Sequence, residues 1–183
     1  MFAVYDLENS MDTVWPVQKE IFETIYTATL ILSGVLAQFD SGASASVSAI
    51  QDLLVANLRK VIYTKPEREV DVQNAIETLL VGRGYQKGGN YDREAGKLKF
   101  SGKEFIPDFI FLGFNTALEV KLIREQTQIS KCVEEMSADI PAYLSAYGNL
   151  LFCIYDLGVI RDVAEFQDGI MKQNAVRICV IKH

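Results

Sequence analysis

The N-terminal part of the chain has an apolar pattern that predicts helices. Apolar side chains recur at helical spacing over residues 16–38 and again over residues 46–63. The small and polar residues 40–46 between them predict a loop. Two helices with this much apolar surface need a partner, which can be the rest of the chain or another copy of it.

The rest of the chain alternates between helix and strand patterns. Two apolar runs of strand length are separated only by Gly113 to Asn115, which is short enough for a hairpin connection. A long helix between two later strands favours a parallel crossover. The predicted elements are a helix at 66–82, strands at 105–112 and 116–122, a helix at 127–147, a strand at 150–155, a short helix near 163–169 and a strand at 176–181. We therefore expect an α/β fold with a mixed sheet flanked by helices.

Charged side chains interrupt the second apolar run in a regular way. Because side chains alternate along a strand, Glu119 and Lys121 share one face while Val120 points to the other. Asp108 stands at the start of the partner strand, directly after Pro107. The hairpin is therefore expected to bring two carboxylates and one lysine to neighbouring strand ends.

This combination suits metal-dependent hydrolysis of phosphodiesters. The carboxylates of Asp108 and Glu119 can hold a hard divalent cation that keeps positions open for water and a phosphate oxygen. Lys121 can stabilise the developing charge and position the attacking water. The alternative is an ion pair between Glu119 and Lys121 at a sheet edge, with Asp108 capping a turn. The Pro-Asp pair upstream of Glu119 favours the catalytic interpretation.

Pro107-Asp108 followed by Glu119-Val120-Lys121 resembles the PD-(D/E)XK nuclease superfamily, which has the restriction-endonuclease-like fold. The segments that stand in the order of its DpnII/MboI-like branch are residues 69–73, 138–143 and 152–156. The resemblance covers about residues 64–183. It implies a Mg²⁺-dependent endonuclease that cuts DNA, with Mn²⁺ as a substitute metal, and a role in restriction or phage defence.

The resemblance also implies individual roles. Asp108, Glu119 and the backbone carbonyl of Val120 would hold the metal, and Lys121 would orient the water. Glu69 would be an auxiliary acidic residue from the first core helix. Its helical phase places it at the edge of the buried stripe of that helix. A glutamate at this position can instead stabilise the helix dipole.

The charge is unevenly distributed along the chain. A formal net charge of −6 argues against generic nucleic-acid binding, but residues 83–103 carry net +4 while residues 1–60 carry net −4. The basic stretch leads into the Pro-Asp strand, and a solvated loop and hairpin is the alternative to a DNA-binding role. The candidate substrate-binding residues are Gln73, Lys99, Lys103 and Arg124, the last of which can instead pair with Glu125.

The remaining composition limits the catalytic mechanisms and metal sites that the chain can have. The only histidine is His183, which excludes Ser-His-Asp and Cys-His catalysis and His-rich zinc sites within this sequence. Three cysteines without a CxxC motif are expected to be reduced and buried in a cytoplasmic protein. The run at residues 25–39 is too short and too polar to span a bilayer. No secretory signal is evident, and we expect no membrane association.

Two acidic positions are interpreted as structural. Asp139 and Tyr143 are i, i+4 neighbours on the helix over 127–147, and Asp156 is expected to cap the turn after its strand.

The sequence thus predicts a helical N-terminal extension over residues 1–63 and a nuclease core over residues 64–183. The extension is expected to serve as an assembly or partner surface and to make the chain a dimer or higher homo-oligomer. An RNA or junction nuclease with the same chemistry, and a non-catalytic nucleic-acid-binding or assembly subunit, are the alternatives to a DNA nuclease.

Overall fold

The computed structural model describes residues 14–168, 170 and 174–183, with no side-chain detail for residues 14–16, 23, 27 and 30–46. The expectation of an irregular start at residues 1–13 lies outside the described part of the chain. The chain divides into two compact units, Met1–Gly42 and Ala43–His183.

A single long helix takes the place of the two predicted N-terminal helices. Helix α1 extends over Val14–Val61, so the predicted loop at residues 40–46 is wrong. That segment holds one glycine and no proline, and a lone glycine costs a helix only about 1 kcal/mol. In the second unit, α1 completely buries Ile50, Leu54 and Leu58. These three residues lie at successive i, i+4 positions on one face of the helix.

In the described part of the chain, seven strands and three further helices follow α1, together with a short 3₁₀ turn at Leu112–Phe114 that leads into a left-handed Asn115. These elements are α2 (Glu69–Gly82), β1 (Tyr91–Arg93), β2 (Leu98–Phe100), β3 (Lys103–Phe105), β4 (Phe109–Phe111), β5 (Thr116–Ile123), α3 (Gln128–Leu144), β6 (Asn149–Asp156), α4 (Val163–Asp168) and β7 (Val176–Lys182). Apart from the N-terminal break and the run at residues 105–112, the predicted helices and strands are found with shifted ends.

The main sheet is mixed, as predicted. Its strand order is β1-β4-β5-β6-β7, and β2 pairs with β3 in a separate hairpin. Strands β1, β4 and β5 pair antiparallel, whereas β5, β6 and β7 pair parallel through crossovers that contain α3 and α4. An α/β mixed sheet flanked by helices is therefore confirmed.

Three features of the structure differ from the predicted elements. The run at residues 105–112 is not one strand, because Pro107 lacks the N–H that a continuous ladder needs and separates β3 from β4. Helix α2 begins at Glu69 rather than at Pro66. Its start is fixed by Asp71, whose Oδ2 accepts hydrogen bonds from the backbone N–H groups of Glu67 and Arg68. The three-residue β1 was not predicted.

Two apolar cores lie on opposite faces of the sheet. One contains α2 and the C-terminal half of α1 against the Leu118 and Val120 face of β5. The other contains α3 and partly buried side chains of the β2–β3 hairpin and α4 against the Ala117 and Ile123 face. Because both faces are covered, strands β5 and β6 are buried almost throughout.

The cysteines agree with the sequence-based expectation. Cys132, Cys153 and Cys179 are free and buried, the last two on the adjacent strands β6 and β7. Asp156 also has its predicted role, since its carboxylate accepts hydrogen bonds from the N–H groups of Val159 and Ile160. Among the described residues, no helix has the length and apolar character needed to cross a membrane.

Candidate active site at the open edge of strand β5

The site begins where the ladder between β4 and β5 ends. Strand β4 pairs with β5 only from Thr116 to Leu118, and Asp108 lies just before β4, opposite Glu119 if the register were continued. The Asp108 Oδ2 atom accepts a 2.6 Å hydrogen bond from the N–H of Val120. Two residues further along, the N–H of Leu122 donates to Glu69 Oε1 at 3.3 Å. Side-chain carboxylates thus replace a strand partner along this edge.

Glu119 and Lys121 point to the α3 face and meet a row of its side chains. Glu119 Oε1 lies 3.1 Å from Lys121 Nζ, and Glu119 Oε2 accepts a 3.1 Å hydrogen bond from the hydroxyl of Tyr143. Lys121 Nζ also lies 3.4 Å from Glu135 Oε2 and 3.5 Å from Asp139 Oδ2. The ammonium group is therefore surrounded by three carboxylates.

The structure brings Asp108, Glu119, Lys121 and Glu69 to one edge of the sheet. Glu69, Lys121 and Cys132 line a pocket of about 190 Å³ between the start of α2 and α3. The backbone of Val120 lies on the same edge, because the N–H and C=O of one strand residue point the same way.

The candidate substrate-binding residues have different surroundings. Gln73 is buried and its Nε2 donates a 2.7 Å hydrogen bond to Asp108 Oδ1, so it contacts a site carboxylate. Arg124 Nη1 donates to the carbonyl of Glu67 at 2.9 Å. Lys99 and Lys103 are exposed on the β2–β3 hairpin. That hairpin packs on α3 through an edge-to-face contact between the rings of Phe105 and Tyr143.

Sequence reasoning missed how α3 takes part. Glu135, Asp139 and Tyr143 are spaced by four residues, so they form one stripe on the helix. A polar stripe on a helix that is otherwise apolar on that side was a signal that could have placed them at the site. Asp139 and Tyr143 were interpreted as structural, and the structure shows them in contact with Lys121 and Glu119.

A sequence model of the DpnII-MboI restriction endonuclease family (REase_DpnII-MboI) matches residues 65–183. The chain belongs to this family. No curated protein and no solved structure matches it significantly. The mixed sheet flanked by helices is that of a restriction-endonuclease-like fold. Membership indicates a DNA nuclease of a family that generally uses divalent metals.

The two central carboxyls of this family member resist ionisation. Burial raises the pKa of Asp108 to about 6, against the lowering effect of the Val120 N–H. Burial and the neighbouring Asp108 charge raise the pKa of Glu119 to about 8. Burial alone would lower the pKa of Lys121, but the Glu119 and Asp139 carboxylates outweigh it and raise that pKa. Lys121 therefore keeps its positive charge at neutral pH.

The donor atoms suit a hard cation. Within the described residues, no three His, Cys, Asp or Glu side chains form a ready metal-binding group. The available oxygens are those of Asp108 and Glu119 and the carbonyl of Val120, all of the hard type that Mg²⁺ prefers. Lys121 offsets only part of the charge of the two buried carboxyls, because Glu135 and Asp139 also share its ammonium group. A divalent cation at this edge would supply further positive charge.

We expect the metal-free protein to lose stability as pH rises, and Glu119→Gln to reduce that loss. The folded pKa of Glu119, about 8, lies above its ordinary value of 4.5, so the folded state binds the proton more tightly. The free energy of unfolding therefore decreases between about pH 5 and pH 8, because the folded state gives up this proton less readily than the unfolded state. Urea unfolding in the presence of a chelator measures this free energy. Glu67→Gln, at an exposed position, is the control, and equal pH slopes for wild type and Glu119→Gln would contradict the raised pKa.

Proposed function

We propose that this chain is a Mg²⁺-dependent endonuclease that hydrolyses phosphodiester bonds of DNA, in restriction or defence against foreign DNA. The observation that carries the proposal is the meeting of Asp108, Glu119 and Lys121 at the open edge of β5. Family membership supports the reaction class. The position of the three groups supports these residues as the ones that perform it.

Asp108, Glu119 and the Val120 carbonyl would hold the metal, and Mn²⁺ would substitute for Mg²⁺. Bound there, a divalent cation would polarise the phosphate and lower the pKa of a water molecule. Before the metal binds, Gln73 and the Val120 N–H hold the Asp108 carboxylate, while Lys121 and Tyr143 hold that of Glu119. The protein thus positions both carboxylates in advance.

Lys121 would orient the attacking water and stabilise the negative charge that develops on the phosphate. Its ammonium is held by Glu119, and by Glu135 and Asp139 of α3, so its place is fixed by a strand and a helix together. The three carboxylates around it favour the charged ammonium, which can serve as a hydrogen-bond donor to water and phosphate.

The remaining candidates surround this centre. Glu69 would be an auxiliary acidic residue, since it accepts a hydrogen bond from the backbone of β5 two residues beyond the Asp108 contact. Lys99 and Lys103 would contact the DNA backbone from the β2–β3 hairpin. For Gln73, the hydrogen bond to Asp108 favours a role in holding that carboxylate over a role in binding substrate. Arg124, at the surface, remains a candidate for a phosphate contact.

Asp108→Ala, Glu119→Ala and Lys121→Ala are each expected to lower DNA cleavage at least about 100-fold. The first two remove a proposed metal ligand, and the third removes the group that would stabilise charge on the phosphate. The measurement is cleavage of plasmid DNA with Mg²⁺ or Mn²⁺. Glu125→Ala, an exposed carboxylate outside the site, is the control. Parallel digests of single-stranded DNA, RNA and a four-way junction identify the substrate form. Full activity in any of the three variants, with an unchanged melting temperature, would exclude its assignment.

Glu69→Ala is expected to slow cleavage by about 10-fold, and Glu67→Ala much less. Both glutamates are exposed and lie on the same approach to α2, so they form a matched pair. Only the Glu69 carboxylate bonds the β5 backbone, whereas Glu67 is held through its own backbone atoms. Equal rates for the two variants, or a larger loss at Glu67, would show that Glu69 is not an auxiliary acidic residue.

We also propose that the chain forms a homodimer or larger assembly through α1. In the first unit, this helix exposes a continuous apolar surface of large side chains, with the rings of Phe22 and Tyr26 stacked on it. The members of this surface are Val17, Ile21, Phe22, Ile25 and Tyr26. Such a surface on a helix marks an interface, and a second copy of the chain provides a self-complementary partner.

Ile21→Lys is expected to reduce the oligomeric mass of the full chain, because a buried ammonium at a symmetric interface is repelled by its own copy. Val55→Lys is the matched control. The two side chains belong to the same helix and are 54% and 55% exposed, but Val55 belongs to the second unit and is not a member of the apolar surface. Light scattering at micromolar concentration measures the mass. A monodisperse wild-type monomer would refute the assembly, and an equal effect of both variants would place the interface elsewhere.

A further inference from the structure

Arg93 on β1 is the central cation of a polar cluster beside the candidate active site. Its guanidinium donates to three side chains of α2: to Gln73 Oε1 at 3.0 Å, to Asn74 Oδ1 at 2.7 Å and to Glu77 Oε2 at 2.7 Å. It also lies over the ring of Phe109, 5.8 Å from the ring centre. The hydrogen bond from Arg93 holds the pKa of Glu77 below its usual value, so this carboxylate stays charged.

The contact with Gln73 decides which way that side-chain amide faces. A guanidinium can only donate, so the atom of Gln73 that faces Arg93 must be the carbonyl oxygen. The amide nitrogen must then face Asp108, where it donates to Oδ1 at 2.7 Å. The reversed amide would bring two donors together at Arg93 and two acceptors together at Asp108. Arg93 therefore selects the one orientation in which Gln73 supports an ionised Asp108.

The same short strand also holds the backbone of Asp108. The residue after Arg93 is Glu94, whose N–H donates a 2.9 Å hydrogen bond to the carbonyl of Asp108. Arg93 itself is paired in register with Phe109, the residue after Asp108. Strand β1 thus fixes the main chain of Asp108 directly and its carboxylate through Gln73.

We propose that Arg93 is a positioning residue, which acts through the amide of Gln73 to hold the Asp108 carboxylate in the orientation that binds the metal. The inference rests on the proposed function, since it assigns Asp108 to the metal. Arg93 lies on β1, a strand that contains no residue of the Pro107-Asp108 and Glu119-Val120-Lys121 motif. The contrasting role for Arg93 is a purely structural one, in which it only ties α2 to the sheet through Glu77 and Asn74.

A double-mutant cycle on metal affinity separates these roles. The variants are Arg93→Met, Gln73→Met and the double variant, and the measured quantity is the dissociation constant for Mn²⁺ without DNA, by calorimetry. If Arg93 acts through Gln73, each single change weakens Mn²⁺ binding by about 10-fold or more, as loss of an outer partner of a metal ligand does. The double variant then binds no more weakly than Gln73→Met alone, because the relay is already broken.

Asn74→Ala is the matched control. It removes another hydrogen bond of the same guanidinium but leaves the Arg93–Gln73–Asp108 connection in place, so Mn²⁺ affinity should not change. The inference would be overturned if Asn74→Ala weakened Mn²⁺ binding as much as Arg93→Met does. It would also be overturned if the fold-losses in Mn²⁺ affinity of Arg93→Met and Gln73→Met multiplied in the double variant. Either result would show a structural role. An Arg93→Met protein with wild-type Mn²⁺ affinity would overturn it as well.

Arg93→Lys serves where Arg93→Met does not fold, as judged by circular dichroism and melting temperature. A lysine keeps the positive charge beside Glu77 but has one donor nitrogen in place of the several of a guanidinium. It is therefore expected to lose the hydrogen bond to Gln73 while it keeps the ion pair with Glu77. Weakened Mn²⁺ binding in a folded Arg93→Lys protein supports the relay, and unchanged binding overturns it. Failure of the wild type to bind Mn²⁺ at all would instead refute the proposed function, and this inference with it.

Discussion

The architecture of the site depends on the point where β4 stops pairing with β5. Beyond Leu118 the backbone N–H groups on that edge of β5 have no strand opposite them, and a buried N–H without a partner is costly. Asp108 and Glu69 supply the acceptors, at Val120 and Leu122. The carboxylates of Asp108 and Glu69 are therefore fixed by the backbone geometry of the sheet.

This arrangement keeps like charges close together in a buried place. Asp108, Glu119 and Asp139 all have raised pKa values, and burial is the largest cause in each case. Lys121 offsets part of the repulsion, and the Tyr143 hydroxyl and the Gln73 amide add neutral donors. Under the proposed function, a bound cation would relieve the repulsion among these carboxyls. The stability that the metal-free protein loses there would then contribute to its affinity for the metal.

The sequence was sufficient for the fold because its strongest signals are local. The hairpin around Gly113 to Asn115, the helical stripe of α2 and the two later strands follow from spacing alone. The antiparallel register of the hairpin ends at Phe109 and Leu118, which places Asp108 and Glu119 just beyond the last pair. The N-terminal break was wrong because a lone glycine among small residues is compatible with a helix. Strand β1 was missed because three residues with two charges carry no strand pattern; Arg93 acquires its role only through contacts with α2.

The candidate site draws its support from both faces of the sheet. Asp108 is held from the α2 side through Gln73 and Arg93, whereas Glu119 and Lys121 are held from the α3 side through Tyr143 and Asp139. Val120 lies between the two groups, with its side chain in the α2 core and its backbone on Asp108. The two carboxylates are thus positioned by separate parts of the fold, each with its own apolar core. Under the proposed function, the metal would be the group that joins them.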